Sequence, residues 1–278
     1  MATPRNAAAP SSSSLSSASP AAVTSRISRI AIGLEYDGSR FLGWQTQPGG
    51  GAIQDVLERA LAAIAGEAVA VTGAGRTDRG VHATAQVAHF DAKAVRPETA
   101  WVRGVNAFLP EAIAVLWARP VDAAFHARFS AIARTYRYRL ISRPVRPALD
   151  ARHAGWYYAP LNVSAMSSAA RALVGEHDFS AFRAAECQAK TPVRTVHSVD
   201  IEQRSHEIEF VIRANAFLHH MVRNIVGSLI YVGAGRQPAG WIAEVLASRD
   251  RNKAAPTFGP EGLYLEKIEY DARWGLPQ

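Results

Sequence analysis

Cysteine is almost missing from this chain of 278 residues: Cys187 stands alone. A single thiol can neither close an intrachain disulfide nor build a thiolate metal cluster. Lysine is scarce too, with four residues (93, 190, 253 and 267) among 31 basic ones, the rest being arginine. No apolar run approaches the roughly 18 residues that a membrane span requires, so no membrane association is expected. No acid precedes Glu35, and residues 1–26 are mostly Ala, Ser, Pro and Thr. Such a segment cannot bury enough apolar surface to order itself. It is also poor in arginine for a transit peptide and lacks the apolar centre of a secretion signal. We therefore expect a disordered tail over 1–26 and a cytoplasmic protein.

What remains has a globular composition, 48% hydrophobic and 20% charged. Its net charge of +7 points to a polyanionic partner. Arginine suits that role, because its planar fork matches phosphate oxygens and stacks on bases.

The periodicities divide the chain into two similar halves. Ile30, Ile32, Leu34 and Tyr36 alternate as a strand. Ile53, Val56, Leu57, Ala60, Leu61 and Ile64 make the stripe of an amphipathic helix that stops at Gly66. Val69 and Val71 suggest a short strand, and a longer one follows from Thr84 to Asp91. Pro97 opens a second helix with Trp101, Val105, Phe108 and Leu109 on one face, before a strand through Ile113, Val115 and Trp117. The second half repeats this order. A strand through Tyr136, Tyr138 and Leu140 leads to a helix capped by Asn162. A strand pair, an apolar helix from Phe217 to Val232, an extra helix near Trp241 and a closing strand complete it. The expected fold class is α+β: two ferredoxin-like (split βαβ) halves with antiparallel sheets side by side, helices on one face and a cleft between them. The expected boundaries are 27–120 and 121–278.

Two stretches carry chemistry. Gly73 to Ala83 holds three glycines, Arg76, Arg79 and one acid, Asp78, in a shaped loop. Nearby guanidiniums favour the ionised form of that carboxylate, which can serve as a nucleophile or a base. From His126 to Arg146 there are six arginines (128, 134, 137, 139, 143 and 146) and no acid, interleaved with aromatics. On a strand Tyr136 and Tyr138 share one face while Arg137 and Arg139 share the other. Stacking surfaces beside phosphate-binding cations suit RNA. Arg223, polar within an apolar helix, calls for an anionic partner. His219 and His220, read as adjacent residues of that helix, would point about 100° apart, which disfavours a shared metal. His82, His89 and His126 read as structural, and Cys187 as a free, inert thiol.

The run Gly75-Arg76-Thr77-Asp78-x-Gly80-Val81-His82-Ala83 resembles the catalytic loop of the TruA family of tRNA pseudouridine synthases. The resemblance extends from about Arg29 to Leu276. Glu35-Tyr36-Asp37-Gly38 with Gly43-Trp44-Gln45, Phe125 to Ala131 with Tyr136-Arg137-Tyr138, and Asn215 to Gly227 look like further blocks of that family in the same order. Arg79 departs from it, since a small residue more often follows the aspartate there. The resemblance implies isomerisation of uridine to pseudouridine at anticodon-arm positions 38, 39 and 40 of tRNA, without metal or cofactor, by a homodimer. It implies Asp78 as the essential carboxylate, and Arg76 and Arg223 as the groups that hold it ionised or displace the base. Tyr136 would stack on the uracil and assist the late loss of the C5 proton. Arg79, Arg128, Arg137 and Arg139 would bind tRNA. Two alternatives are a non-catalytic RNA-binding protein on the same scaffold and an aspartate-dependent glycosidase or phosphatase. The latter lacks a second carboxylate.

Overall fold

The computed structural model describes residues 1–3 and 27–277. The disordered tail expected over 1–26 thus lies, save its first three residues, outside the described residues.

The first half begins with β1 (Ser28–Tyr36), whose apolar residues alternate as the sequence requires, and continues into α1 (Ile53–Ala65). Ile53, Leu57, Ala60 and Leu61 are buried along one side of α1. The backbone N–H of Ala52 donates to the Asp55 carboxylate at 3.0 Å and so fastens its first turn. The strand expected through Val69 and Val71 is reduced to β2 (Thr72–Gly73), although both valines are buried. β3 (His82–Ala92) and β4 (Ile113–Val121) follow, and the order β4-β1-β3, with β2 on the far side of β3, is that of a split βαβ unit.

The second half contains β5 (Ala131–Ser142), β6 (Gly155–Tyr157), α2 (Val163–Ala170), β7 (Gly175–Asp178), β8 (Val193–Arg204), β9 (Glu207–Ala214), α3 (Met221–Gly233), α4 (Trp241–Ser248) and β10 (Leu263–Tyr270). Asn162 caps α2, its side chain accepting from the Ala165 N–H at 2.9 Å. The order β10-β5-β9-β8 repeats that of the first half, with β7 added at the edge and β6 beside the end of β5. The α+β, duplicated split βαβ expectation therefore holds. The two sheets are continuous: β3 and β10 pair in parallel, Tyr264 opposite His82 and Leu265 opposite Ala83, making one ten-stranded sheet.

The main core contains residues from all four helices and from the inward positions of β1, β3, β5, β9 and β10. The opposite face of the first half has a smaller core around Phe125, covered by Tyr270, Trp274 and Leu276.

Three local details differ from expectation. The helix after Pro97 forms over 98–106 with a π-helical stretch (Ala100–Gly104) at its centre, burying Trp101 and Val105 as expected, but it ends before Phe108, which is 61% exposed. A register shift between β1 and β4 moves Trp117 off the face of Ile113 and Val115, and it lies across Gly33. Helix α3 starts at Met221 rather than Phe217, so His219 and His220 lie in the approach to the helix. That last difference reshapes the site.

Candidate active site

The loop 73–83 leaves β2 at the seam between the halves and is tied down along its length. Both backbone groups of Gly75 are held by the Gln86 side chain, which donates to its carbonyl at 2.7 Å and accepts from its N–H at 3.2 Å. Thr77 shares a 2.8 Å hydrogen bond with the Tyr36 hydroxyl, and its carbonyl accepts from the Trp44 N–H at 3.0 Å. Gly43 lies at φ +97°, and a Cβ there would stand 2.6 Å from the Thr77 oxygen. Only glycine permits this crossing. Asp78 then starts a turn closed by the Val81 N–H on its own carbonyl at 3.1 Å, with Gly80 at φ +79°.

The turn delivers the Asp78 carboxylate, 18% exposed, to the approach of α3. There His220 occupies the left-handed region (φ 61°, ψ 4°), uncommon for a residue with a side chain. This bend turns both imidazoles onto the carboxylate, which helical geometry would not have done. His219 Nε2 lies 3.2 Å from Oδ1 and His220 Nε2 3.5 Å from Oδ2. One helical turn later, Arg223 donates to Oδ2 at 3.2 Å and to the Phe258 carbonyl at 2.8 Å. The anionic partner that Arg223 required is Asp78.

The electrostatics follow from this packing. Burial alone would raise the Asp78 pKa, but the His219 hydrogen bond and the charges of His220, His219 and Arg223 hold it below the ordinary carboxylate range. The hydrogen bond to Asp78 raises His219. His220 is lowered by burial and by its cationic neighbours, despite Asp78. The two rings stand 4.0 Å apart, so a charge on one disfavours a charge on the other, and the site favours the protonated form of His219 over that of His220.

A cleft of about 1410 Å³ opens over this cluster, walled by both halves. Tyr136 lines it, 8% exposed and edge-on to Phe217 at 5.0 Å. Burial, with the charges of Tyr36 and Asp78, pushes the Tyr136 phenol well above its usual range. Arg76, Arg79 and Arg128 also line the cleft and are exposed. Among the described residues none of the three has a carboxylate within ion-pair distance, and Arg76 does not reach Asp78. The flanking guanidiniums expected to hold the carboxylate diverge at the turn, and the imidazoles take their place.

Arg137 and Arg139 face away from this cleft. Arg137 pairs with Glu266 at 2.8 Å and Glu209 at 3.3 Å, and Arg139 with Glu207 at 2.5 Å and Asp150 at 3.7 Å. Their neighbour Arg134 takes a third course. Buried on the Tyr136 face, it donates to the carbonyls of Ala74, Arg128, Ala131 and Asn215 and fixes the start of the loop against β5.

His82, His89 and His126 have structural positions. His82 Nδ1 accepts the Gly38 N–H, and its Nε2 lies 2.9 Å from the Arg152 carbonyl, which links the halves. His89 accepts the Ala127 N–H, and burial brings its pKa down to about 4. His126 accepts the Arg128 and Phe129 N–H groups. Cys187 stands at the cleft wall, its sulfur accepting the His219 N–H at 3.4 Å. Among the described residues two sets, Asp78-His219-His220 and Asp37-His82-His153, have ligand atoms close enough to hold a cation. In the first, Arg223 already occupies the carboxylate. In the second, His82 Nδ1 is taken by Gly38.

The missed residues of the site are His219 and His220. Their pairing in sequence was visible, but the left-handed bend that aims them was not.

Comparison with known proteins covers both halves. The tRNA pseudouridine synthase family profile matches residues 33–130 and 169–271. The tRNA pseudouridine synthase A of Thiobacillus denitrificans is 58% identical over 250 residues, 90% of this chain and 96% of that protein. That of Methylobacillus flagellatus is 56% identical over 249 residues, 90% and 95% of the two chains. That of Bordetella parapertussis is 58% identical over 254 residues, 91% and 94%. With the Asp78 loop inside the first matched segment and relatives this similar over nine-tenths of its length, this chain belongs to the tRNA pseudouridine synthase family.

Proposed function

We propose that the protein isomerises uridine to pseudouridine in the anticodon arm of tRNA, at positions 38, 39 and 40, as a cytoplasmic homodimer. The observation that carries this reading is one carboxylate, Asp78, largely buried and held ionised at the floor of an arginine-walled cleft. A group so placed can attack the ribose or remove a proton from it. The reaction breaks one C–N bond, turns the uracil and joins C5 to the same sugar carbon. It adds no atoms and changes no oxidation state, so it calls for no metal or cofactor.

Each neighbour has a part. Arg223 and the imidazoles keep Asp78 charged. Tyr136 offers its ring to the uracil once the base has been turned out of its stack. A phenol pushed so far up remains protonated at neutral pH, so stacking and hydrogen-bond donation suit it better than base catalysis. Arg76, Arg79 and Arg128, exposed and without carboxylate partners among the described residues, take phosphates. Arg137 and Arg139 are engaged by acids and contribute little to binding.

Incubation of the purified protein with unmodified tRNA, followed by pseudouridine mapping of the anticodon arm, tests the proposal. New pseudouridine in that arm supports it. Binding without modification would favour the non-catalytic RNA-binding alternative.

A further inference from the structure

Keeping Asp78 ionised is a task that His219 shares with His220 and Arg223, and unlike the guanidinium an imidazole can also give up its proton. The isomerisation, however, moves two protons. N1 of uracil must gain one when its bond to the sugar breaks, and C5 must lose one after it joins the sugar.

We propose that His219 is the proton carrier of the reaction, giving a proton to the departing uracil and recovering one from C5. This rests on the reading of Asp78 as the reacting carboxylate. In the first half-reaction the C1′–N1 bond breaks and its electron pair leaves with the uracil. Asp78 loses its charge, either by bonding to C1′ or by taking a proton from the ribose. Either event removes the anion that holds the proton on His219 Nε2, and that proton passes to the uracil anion. Neutral uracil and neutral imidazole remain. In the second half-reaction the C5=C6 electrons form the C5–C1′ bond. Asp78 regains its charge by leaving C1′ with its bonding pair, or by returning the ribose proton. The C5 proton passes to the His219 imidazole, beside an anion once more. One proton is given and one returned, and no electrons are exchanged with the surroundings.

The geometry suits His219 for this and not its neighbours. Its ring lies closer to the carboxylate than that of His220, 3.2 against 3.5 Å, and is 38% exposed to the cleft against 26%. Its backbone is clamped on both sides, its N–H on Cys187 Sγ and its carbonyl accepting the Ala184 N–H at 3.0 Å. Oδ2, the oxygen facing His220, is shared with Arg223. Tyr136 is a protonated phenol. The charged and titratable groups around His219 are Asp78, His220, Arg223, Glu186 and Cys187.

The test compares the wild type with His219→Gln, which keeps a hydrogen-bond donor near Asp78 but cannot carry a proton, and with His219→Phe. Single-turnover pseudouridine formation is followed from pH 5.5 to 9 under saturating enzyme, with tRNA affinity measured alongside. We expect the Gln variant to be slower by about 10²–10⁴-fold, with affinity kept and with partial rescue by added imidazole. The wild-type rate should fall as pH rises through the elevated His219 pKa, and that limb should vanish in the variant. A Gln variant within threefold of wild type overturns the proposal. So does a slow variant that keeps the wild-type pH limb and ignores imidazole, since His219 would then only position Asp78. Failure of the underlying reading is distinguishable, because there the wild type would form no pseudouridine or Asp78→Asn would remain active.

Discussion

Two faces of one strand carry arginines from the same acid-free stretch, and they have opposite fates. On the inner face of β5, Arg134 and Tyr136 meet the cleft and the Asp78 loop. On the outer face, Arg137 and Arg139 meet carboxylates from β9, β10 and the segment around Asp150. Sequence spacing separates the two faces correctly. It does not reveal that the glutamates answering the outer arginines sit on neighbouring strands, more than sixty residues further along the chain. A run without acids is therefore a statement about the run, not about its surroundings. Cations left free for a polyanion among the described residues include those of the loops, Arg76, Arg79 and Arg128.

The largest contrast between these regions should come from Asp78→Asn. It keeps size and removes charge, so pseudouridine formation should fall to background while tRNA affinity stays near wild type. The same variant should lower the pKa of His219 in an NMR titration, because the hydrogen bond to Asp78 is what raises it. The sign extends to stability. The raised His219 stabilises the fold below its unfolded pKa, and that contribution is lost as pH rises through its folded value. The lowered Asp78 stabilises above its unfolded pKa and loses this as pH falls. A His219 titration that ignores Asp78→Asn would break this account of the cluster.

Removing the free cations should come next. Arg76→Ala, Arg79→Ala and Arg128→Ala together should weaken tRNA binding and reduce the slope of log affinity against log salt by about one unit per lost phosphate contact. Turnover at saturating tRNA should change less than affinity. An unchanged slope would place the RNA path elsewhere.

The fold was legible because its halves repeat a short pattern of periods, and because helix stops and caps such as Gly66 and Asn162 are local signals. Arg223 finds the anion its residue type called for in Asp78, and Tyr136 lines the same cleft, a grouping that the family resemblance implied. The approach to α3 was not legible. Apolar periodicity running through Phe217 and Leu218 looked helical, whereas the chain bends at His220 and admits the helix only at Met221. Nothing local dictates a left-handed histidine. It is imposed by packing, with Cys187 and Ala184 holding His219 from a distant loop. The continuity of the sheet was equally hidden, since two residue pairs between β3 and β10 carry it.

Tyr136 refines the inner face of the comparison. If its ring alone serves, Tyr136→Phe should stay within about threefold of wild type. Tyr136→Leu should lose roughly 1–3 kcal/mol, the worth of a base–aromatic contact. Single-turnover rates of the two variants separate ring from hydroxyl. A Phe variant as slow as Leu would return the hydroxyl to the chemistry and remove part of the proton traffic from His219.

The smallest effect on function should come from the outer face. Arg137→Gln with Arg139→Gln leaves the cleft untouched and deprives Glu266, Glu209 and Glu207 of their partners. These side chains are a fifth to a third exposed, so each broken pair should cost roughly 0–1 kcal/mol. Thermal unfolding should therefore begin a few degrees lower. Affinity for tRNA and its salt dependence should hardly change, because guanidiniums already neutralised by carboxylates release few counterions when RNA arrives. Freed of their arginines, the glutamates would repel a passing phosphate, so any small loss should grow at low salt. A drop in the salt slope as large as that of the Arg76, Arg79 and Arg128 variant would mean that tRNA displaces the glutamates and reads both faces of β5. In that case the distinction between free and paired cations would not predict where this protein holds its substrate.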